Sequence, residues 1–180
     1  MHDWTGPVAV KTKIKYPKRE ALRMLLALEQ QIDDLTAFES ETEYTVGALS
    51  TDRYAHFRAK SGEVYTLSIV VKTRVDNLEG GADKELSDRF DKAVVSAQRL
   101  IIEASLRFME VLSKLDVLPL GAREIYTSEL RSLYDARERL RDPRLAPFID
   151  SNLEKKIGVA EAVLTAIIEK APQLMSFTAA

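Results

Sequence analysis

The stretch Asp83–Asp116, DKELSDRFDKAVVSAQRLIIEASLRFMEVLSKLD, decides how the rest of the chain is read. Turned at about 100° per residue, Lys92, Arg99, Glu103, Arg107, Glu110 and Lys114 gather in an arc of roughly 80°. Glu103–Arg107 and Glu110–Lys114 have the i,i+4 spacing that supports a helix. An arc roughly 240° wide on the other sides is apolar or small, with Val94, Val95, Leu100, Ile101, Ile102 and Phe108 among its residues. The spacing predicts a helix over about 83–116, with Asp83 as its N-cap after the Gly80–Gly81 break. A helix this apolar must be covered on most sides, by the rest of the fold or by a second copy.

Downstream, two more helices are predicted. One spans about 122–141, with Ile125, Tyr126, Leu130, Leu133, Ala136 and Leu140 inward, and Asp142–Pro143 stops it. The last spans about 151–171. Ser151 and Glu154 read as its capping box, Leu153, Ile157, Ala160, Leu164, Ile167 and Ala171 as its seam, and Pro172 as its end.

Upstream, a helix over about 18–39 carries the seam Ala21, Leu25, Leu28, Ile32, Leu35, and Pro17 starts it. Leu22 and Leu26 lie off that seam and point to a second contact. Residues 7–16 alternate, with Val8, Val10, Thr12, Ile14 and Tyr16 opposite Lys11, Lys13 and Lys15; a period of two predicts a half-exposed strand. Within 43–76 the alternation of Tyr65, Leu67, Ile69 and Val71 against Thr66 and Ser68, with Lys60–Glu63 as a turn, predicts a hairpin. The alternative is a short helix over 51–60, capped by Gly62 and followed by a lone strand.

The predicted fold is therefore mainly α. It is a bundle of four principal helices with a small antiparallel β element (strand 7–16 and the hairpin within 43–76). All of it belongs to one helix-rich domain over 1–180, with a mixed α/β part at 1–76 and a helical part at 83–171. Composition agrees: 46% apolar and 30% charged residues suit a folded globule and not a disordered chain. A chain of 180 residues needs no covalent staple to bury its core. Cysteine is absent, which excludes disulfides, thiolate zinc sites and a cysteine nucleophile, and fits a reducing compartment. No secretory leader is read in Met1–Trp4, and no apolar run approaches the roughly 20 residues of a membrane span. The expectation is a soluble, cytoplasmic protein without membrane contact, with a virion or other assembly as a further setting.

Motifs of site chemistry are missing. The two histidines, His2 and His56, leave no Glu-x-x-His pair for a di-iron bundle and no histidine-rich zinc site. There is no Gly-x-Ser-x-Gly elbow, no Gly-x-Gly-x-x-Gly, and Gly80–Lys84 lacks the spacing of a phosphate loop. No cofactor or metal is expected. Among residues of contact type, Arg137 sits in the apolar arc of its helix near Tyr126 and Tyr134, the composition of an interface hot spot; a stem that snorkels to water is the plainer reading. Leu22, Leu26, Tyr126, Tyr134 and Arg137 are thus the interface candidates.

Net charge is −2, with no global pull toward nucleic acid. Charge is nevertheless uneven. Residues 24–50 hold Glu29, Asp33, Asp34, Glu39, Glu41 and Glu43 and no base, after a basic N-terminal segment containing Lys11, Lys13, Lys15, Lys18, Arg19 and Arg23. The two segments either neutralise each other or meet head to tail between copies. Lys11, Lys13 and Lys15 protect a strand edge, or else contact phosphates. The expected function is a non-enzymatic structural or adaptor protein acting through protein–protein contacts, a subunit of a homo-oligomer whose partner is itself or another protein. The alternative is a nucleic-acid-associated protein using the lysine-faced strand with Arg53, Arg58, Lys72 and Arg74. The third reading is an enzyme with no recognisable motif.

Overall fold

A computed structural model describes residues 14–41, 51–113 and 122–176, and within these everything regular is helical. The elements are α1 (Lys18–Ser40), α2 (Thr51–Asp76), α3 (Lys84–Ser113), α4 (Ala122–Leu140), a single 3-10 turn (Ala146–Phe148) and α5 (Ser151–Ser176).

The centre is α3, which packs against all four other α-helices. Its wide apolar surface resolves into two seams. Leu86, Phe90, Ala93, Ala97, Leu100, Ala104 and Phe108 face a core shared with α1 and α2. Val95, Ile102 and Met109, seven residues apart, join a second core with Leu133, Ala136 and Leu140 of α4 and Leu153, Ala160 and Leu164 of α5. A seven-residue step returns to nearly the same side of a helix, so one helix can serve two cores on different sides. Among the described residues of α3, no apolar side chain of the arc is exposed.

The hairpin expected within 43–76 is not there. The described part of that segment, 51–76, belongs to α2. Its buried positions, Tyr54, Phe57, Ser61, Val64, Val71 and Val75, follow a helical 3-4 spacing, with partly buried Ser68 in the missing step. Two serines hold apolar-seam positions and β-branched residues crowd the second half, so the run resembles a strand. The hydroxyls are absorbed by the helix: Ser61 Oγ donates to Phe57 O at 2.8 Å, Thr66 to Gly62 O at 2.9 Å and Thr73 to Ile69 O at 3.0 Å. Gly62 is exposed inside the helix and neither caps nor breaks it.

Of the strand expected over 7–16, residues 7–13 lie outside the described residues. The remainder is extended chain with an isolated parallel bridge between Tyr16 and Leu78. Tyr16 N donates to Asn77 O and Glu79 N to Tyr16 O, both at 2.9 Å, tying the entry of α1 to the α2–α3 link. That link turns through Gly80 and Gly81, at φ 84° and 102°, a region L side chains seldom adopt. Asp83 Oδ1 then accepts from Leu86 N at 3.0 Å and caps α3 as expected.

Two helix ends differ from expectation. Asp150 caps α5, accepting from Leu153 N at 2.8 Å, while Ser151 is already its first helical residue; a carboxylate also suits the positive helix N-terminus. The α5 backbone continues through Pro172 to Ser176. Proline removes one backbone donor, and a short C-terminal extension still has its other bonds.

Three acids of the 24–50 segment find basic partners, none of them among the described residues of the basic N-terminal segment. Glu29 holds Arg89 through two contacts of 2.6 Å, Glu39 meets Arg107 at 2.6 Å and Glu41 meets Arg53 at 3.2 Å. Glu43 lies outside the described residues. Lys18 instead pairs with Asp83 at 2.5 Å.

Candidate functional site

Two places concentrate polar groups where water is scarce. The first joins α2, α3 and α4 around Glu129, a glutamate that is only 2% exposed. Its Oε2 accepts from Tyr54 Oη at 2.5 Å and from Ser105 Oγ at 2.9 Å, and its Oε1 lies 3.3 Å from Arg58 Nε. Arg58 also donates to Ser132, whose hydroxyl donates to Ser128 O at 2.9 Å. The Tyr54 ring stacks on Phe108 with centroids 4.2 Å apart. Burial, and then the Glu129 carboxylate, push the Tyr54 hydroxyl well above its ordinary range, so it stays a donor. Each carboxylate oxygen is occupied. The cluster locks three helices in register, because any axial slip would strand a buried charge.

The second place is an open groove of about 520 Å³ between α2, α3 and the end of α4. Phe90 and Val94 of α3 and Leu145 of the following loop line it, with Tyr65 and Ile69 of α2 beside them, 38% and 50% exposed. Lys72, Arg139, Arg141 and Arg144 give it a basic rim. Three of these have carboxylate partners: Lys72 with Asp76, Arg141 with Glu138 and Glu161 at 2.9 and 3.2 Å, and Arg144 with Asp142 at 2.7 Å. Arg139 differs. Its guanidinium lies 3.8 Å from the Tyr65 ring centroid, a cation–π stack, and its nearest acceptor is Gln98 Oε1 at 3.5 Å.

Asp91 also lines this groove, 4% exposed, and its Oδ1 has no hydrogen-bond partner among the described residues. Burial pushes its carboxyl above the ordinary aspartate range, against the opposing pull of Arg144. A buried carboxylate oxygen without a donor is an exception that calls for a reason.

The sequence-derived interface candidates fall in separate places. Leu22 is half-buried against the α1–α2 core, and Leu26, one turn on, is 49% exposed. Tyr134 and Arg137 come together on α4, with the guanidinium 5.2 Å from the ring centroid. Tyr134 is exposed, whereas Arg137 is mostly covered and pairs with Glu138 and, at 3.9 Å, with Glu161 of α5. Its Nε lacks a hydrogen-bond partner among the described residues. The arginine therefore links α4 to α5, and its head does not reach freely into water. The Tyr126 side chain, Lys11 and Lys13 lie outside the described residues; Lys15 is exposed.

The basic residues that α2 lends to the nucleic-acid alternative are each held by a carboxylate. Arg53 pairs with Glu41, Arg58 with Glu129, Lys72 with Asp76 and Arg74 with Glu20. His56 is exposed on α2, its ring 5.2 Å from that of Phe38. Among the described residues no group of three or more histidines and carboxylates could hold a metal ion, and no helix is long and apolar enough to cross a membrane.

Sequence reasoning missed both polar places, although each left a trace. Glu129 stands four residues before Leu133 and seven before Ala136, on the inward side of α4. Asp91 stands three residues before Val94 and seven before Gln98, off the charged arc of α3. A carboxylate at a seam position was the signal in each case. No family model matches the chain, and neither a curated protein nor a solved structure is detectably similar to it.

Proposed function

We propose that this chain is a non-enzymatic structural or adaptor protein that acts through protein–protein contacts, as a subunit of a homo-oligomer. The observation that carries the reading is the α2–α3–α4 groove. It sets exposed Tyr65 and Ile69 beside an arginine that meets no carboxylate among the described residues, and aromatic residues with arginine are the composition enriched at interface cores. An open recess of this kind suits a macromolecular surface. The apolar arc of α3 lends nothing to the reading over its described residues, because α1, α2, α4 and α5 already pack on them.

Mixed-isotope cross-linking tests the reading. The chain labelled with ¹⁵N is mixed with unlabelled chain at tens of micromolar and treated with a short lysine-reactive cross-linker. Cross-linked peptide pairs of mixed isotope composition are the expected outcome. Pairs of one isotope composition alone would count against self-association.

One observation favours a second reading, an enzyme built without a familiar motif. Asp91 is a desolvated carboxyl with a raised pKa at the edge of a groove, a pattern shared with acid–base catalysts. Its discriminator is whether a small molecule protects Asp91 from carbodiimide modification.

A further inference from the structure

The groove holds two charged groups whose needs the chain leaves open, and they lie at different points along it. Arg139 rests on Tyr65 near Gln98, with no carboxylate partner among the described residues. Asp91 Oδ1 lacks a donor. Gln98 follows Asp91 by seven residues on α3, which is about 10 Å along a helix axis. Between them the groove is apolar, with Val94 as its middle and Ile69 exposed at its side.

The outer face of α1 carries the complementary pattern. Leu26 is exposed at its centre, with half-buried Leu22 one turn before it. Exposed Arg23 precedes it, and exposed Asp33 and Asp34 follow two turns later. Asp34 accepts only a side-chain amide bond from Gln30, at 2.9 Å, and no ion pair of Asp33, Asp34 or Arg23 is found among the described residues. The face therefore reads base, leucine, acids, over about 15 Å from Arg23 to Asp33. The groove sets Asp91 at one end and Arg139, near Gln98, at the other with an apolar floor between them, inside a rim where Lys72, Arg141 and Arg144 have carboxylate partners of their own. No element of the same chain brings the two together, since α1 packs on α2 and α3 from the side of its buried seam.

We propose that self-association is heterologous: the outer face of α1 in one copy seats in the α2–α3–α4 groove of the next. The inference rests on the homo-oligomer reading above and names its surfaces. Leu26 enters beside Ile69 and Val94. Asp33 and Asp34 meet Arg139, and Arg23 supplies a donor to Asp91. This polarity makes the incoming α1 run parallel to the α3 it covers. A heterologous contact leaves one groove and one face free on every pair, so copies continue into a ring or an open chain. A helix laid into an apolar groove between helices is an established mode of recognition, and the charged ends fix its direction.

The test is complementation between two disabled chains. A groove variant carries Ile69→Asp and Arg139→Glu; a face variant carries Leu26→Asp and Asp33→Lys. Far-UV circular dichroism checks that each keeps its helix content. The milder pair Ile69→Ser and Leu26→Ser replaces them where either has lost it. In sedimentation velocity each variant alone is expected at the 20.2 kDa chain mass. Their equimolar mixture is expected to form a one-to-one dimer and nothing larger, because only one intact groove and one intact face remain. Variants that associate as wild type does, or a mixture that stays monomeric while wild type associates, overturn the heterologous contact and leave the homo-oligomer reading standing. A wild-type chain that is monomeric throughout overturns both.

Discussion

The Tyr54 hydroxyl on α2 donates to Glu129 Oε2 on α4 across 2.5 Å, joining residues 75 apart in sequence through the middle of the fold. Ser105 of the intervening α3 donates to the same oxygen. One carboxylate thus fixes three helices, and its surroundings make the phenol a permanent donor.

Tyr54→Phe removes that donor and leaves a buried carboxylate short of a partner. The expected cost is about 1–3 kcal/mol, read from urea unfolding at pH 7. A loss below about 0.5 kcal/mol would mean that the cluster does not bear on stability. Because the folded Tyr54 pKa is raised above its unfolded value near 10, its contribution is complete below pH about 10 and fades as pH rises. Tyr54→Phe should therefore flatten the alkaline arm of the stability profile.

Asp91 has the opposite consequence at neutral pH. Its carboxyl is raised by burial, so its protonated form is the one the fold prefers. The stability linked to it is present below the unfolded value near 3.9 and is lost as pH rises through the raised folded value. Asp91→Asn should be more stable than wild type at pH 7, by roughly 1 kcal/mol, with the gain shrinking toward pH 4. Unfolding midpoints at low protein concentration, where copies are apart, check this. An equal or larger gain at pH 4 would contradict the assignment.

Gly62 distinguishes a helix from a hairpin over 51–76. It is exposed within α2, its φ is not positive, and a Cβ there meets nothing within 4 Å. Gly62→Ala should stabilise by about 0.5–1 kcal/mol, the helix propensity difference. A turn glycine would respond with a loss.

The two cores give a test of independence. Leu25 and Leu153 are fully buried in different clusters. Each truncation to alanine should cost about 2–5 kcal/mol. In the double variant the costs should add to within about 0.5 kcal/mol, as for sites that share no partner. Strong coupling between them would mean that α3 transmits packing strain from one core to the other.

The helices whose apolar seams run over several turns, α1, α3, α4 and α5, were legible in the sequence, because sets such as Ala21–Leu35 or Leu153–Leu164 recur at helical spacing. The second helix was not. Ser61 and Ser68 occupy seam positions, so the surviving apolar residues Tyr65, Leu67, Ile69 and Val71 show a period of two. That α3 carries two seams was visible only as excess width, which also suits an interface; covering by four helices depends on α2 being one of them. The Asp150 cap was hidden by the adjacent Ser151, since both residue types cap helices well. Arg137 was singled out by its place among apolar residues, but its carboxylate partner on α5, Glu161, is a long-range feature that local periodicity does not report. The same holds for the groove, whose lining comes from three helices and a loop.

Sedimentation velocity of the wild-type chain from about 1 to 100 micromolar decides whether this protein meets copies of itself. The weight-average sedimentation coefficient is expected to rise with concentration and to fall back in high salt, because charged ends contribute to the contact. A single 20.2 kDa species across the whole range, at low and high salt alike, would contradict it.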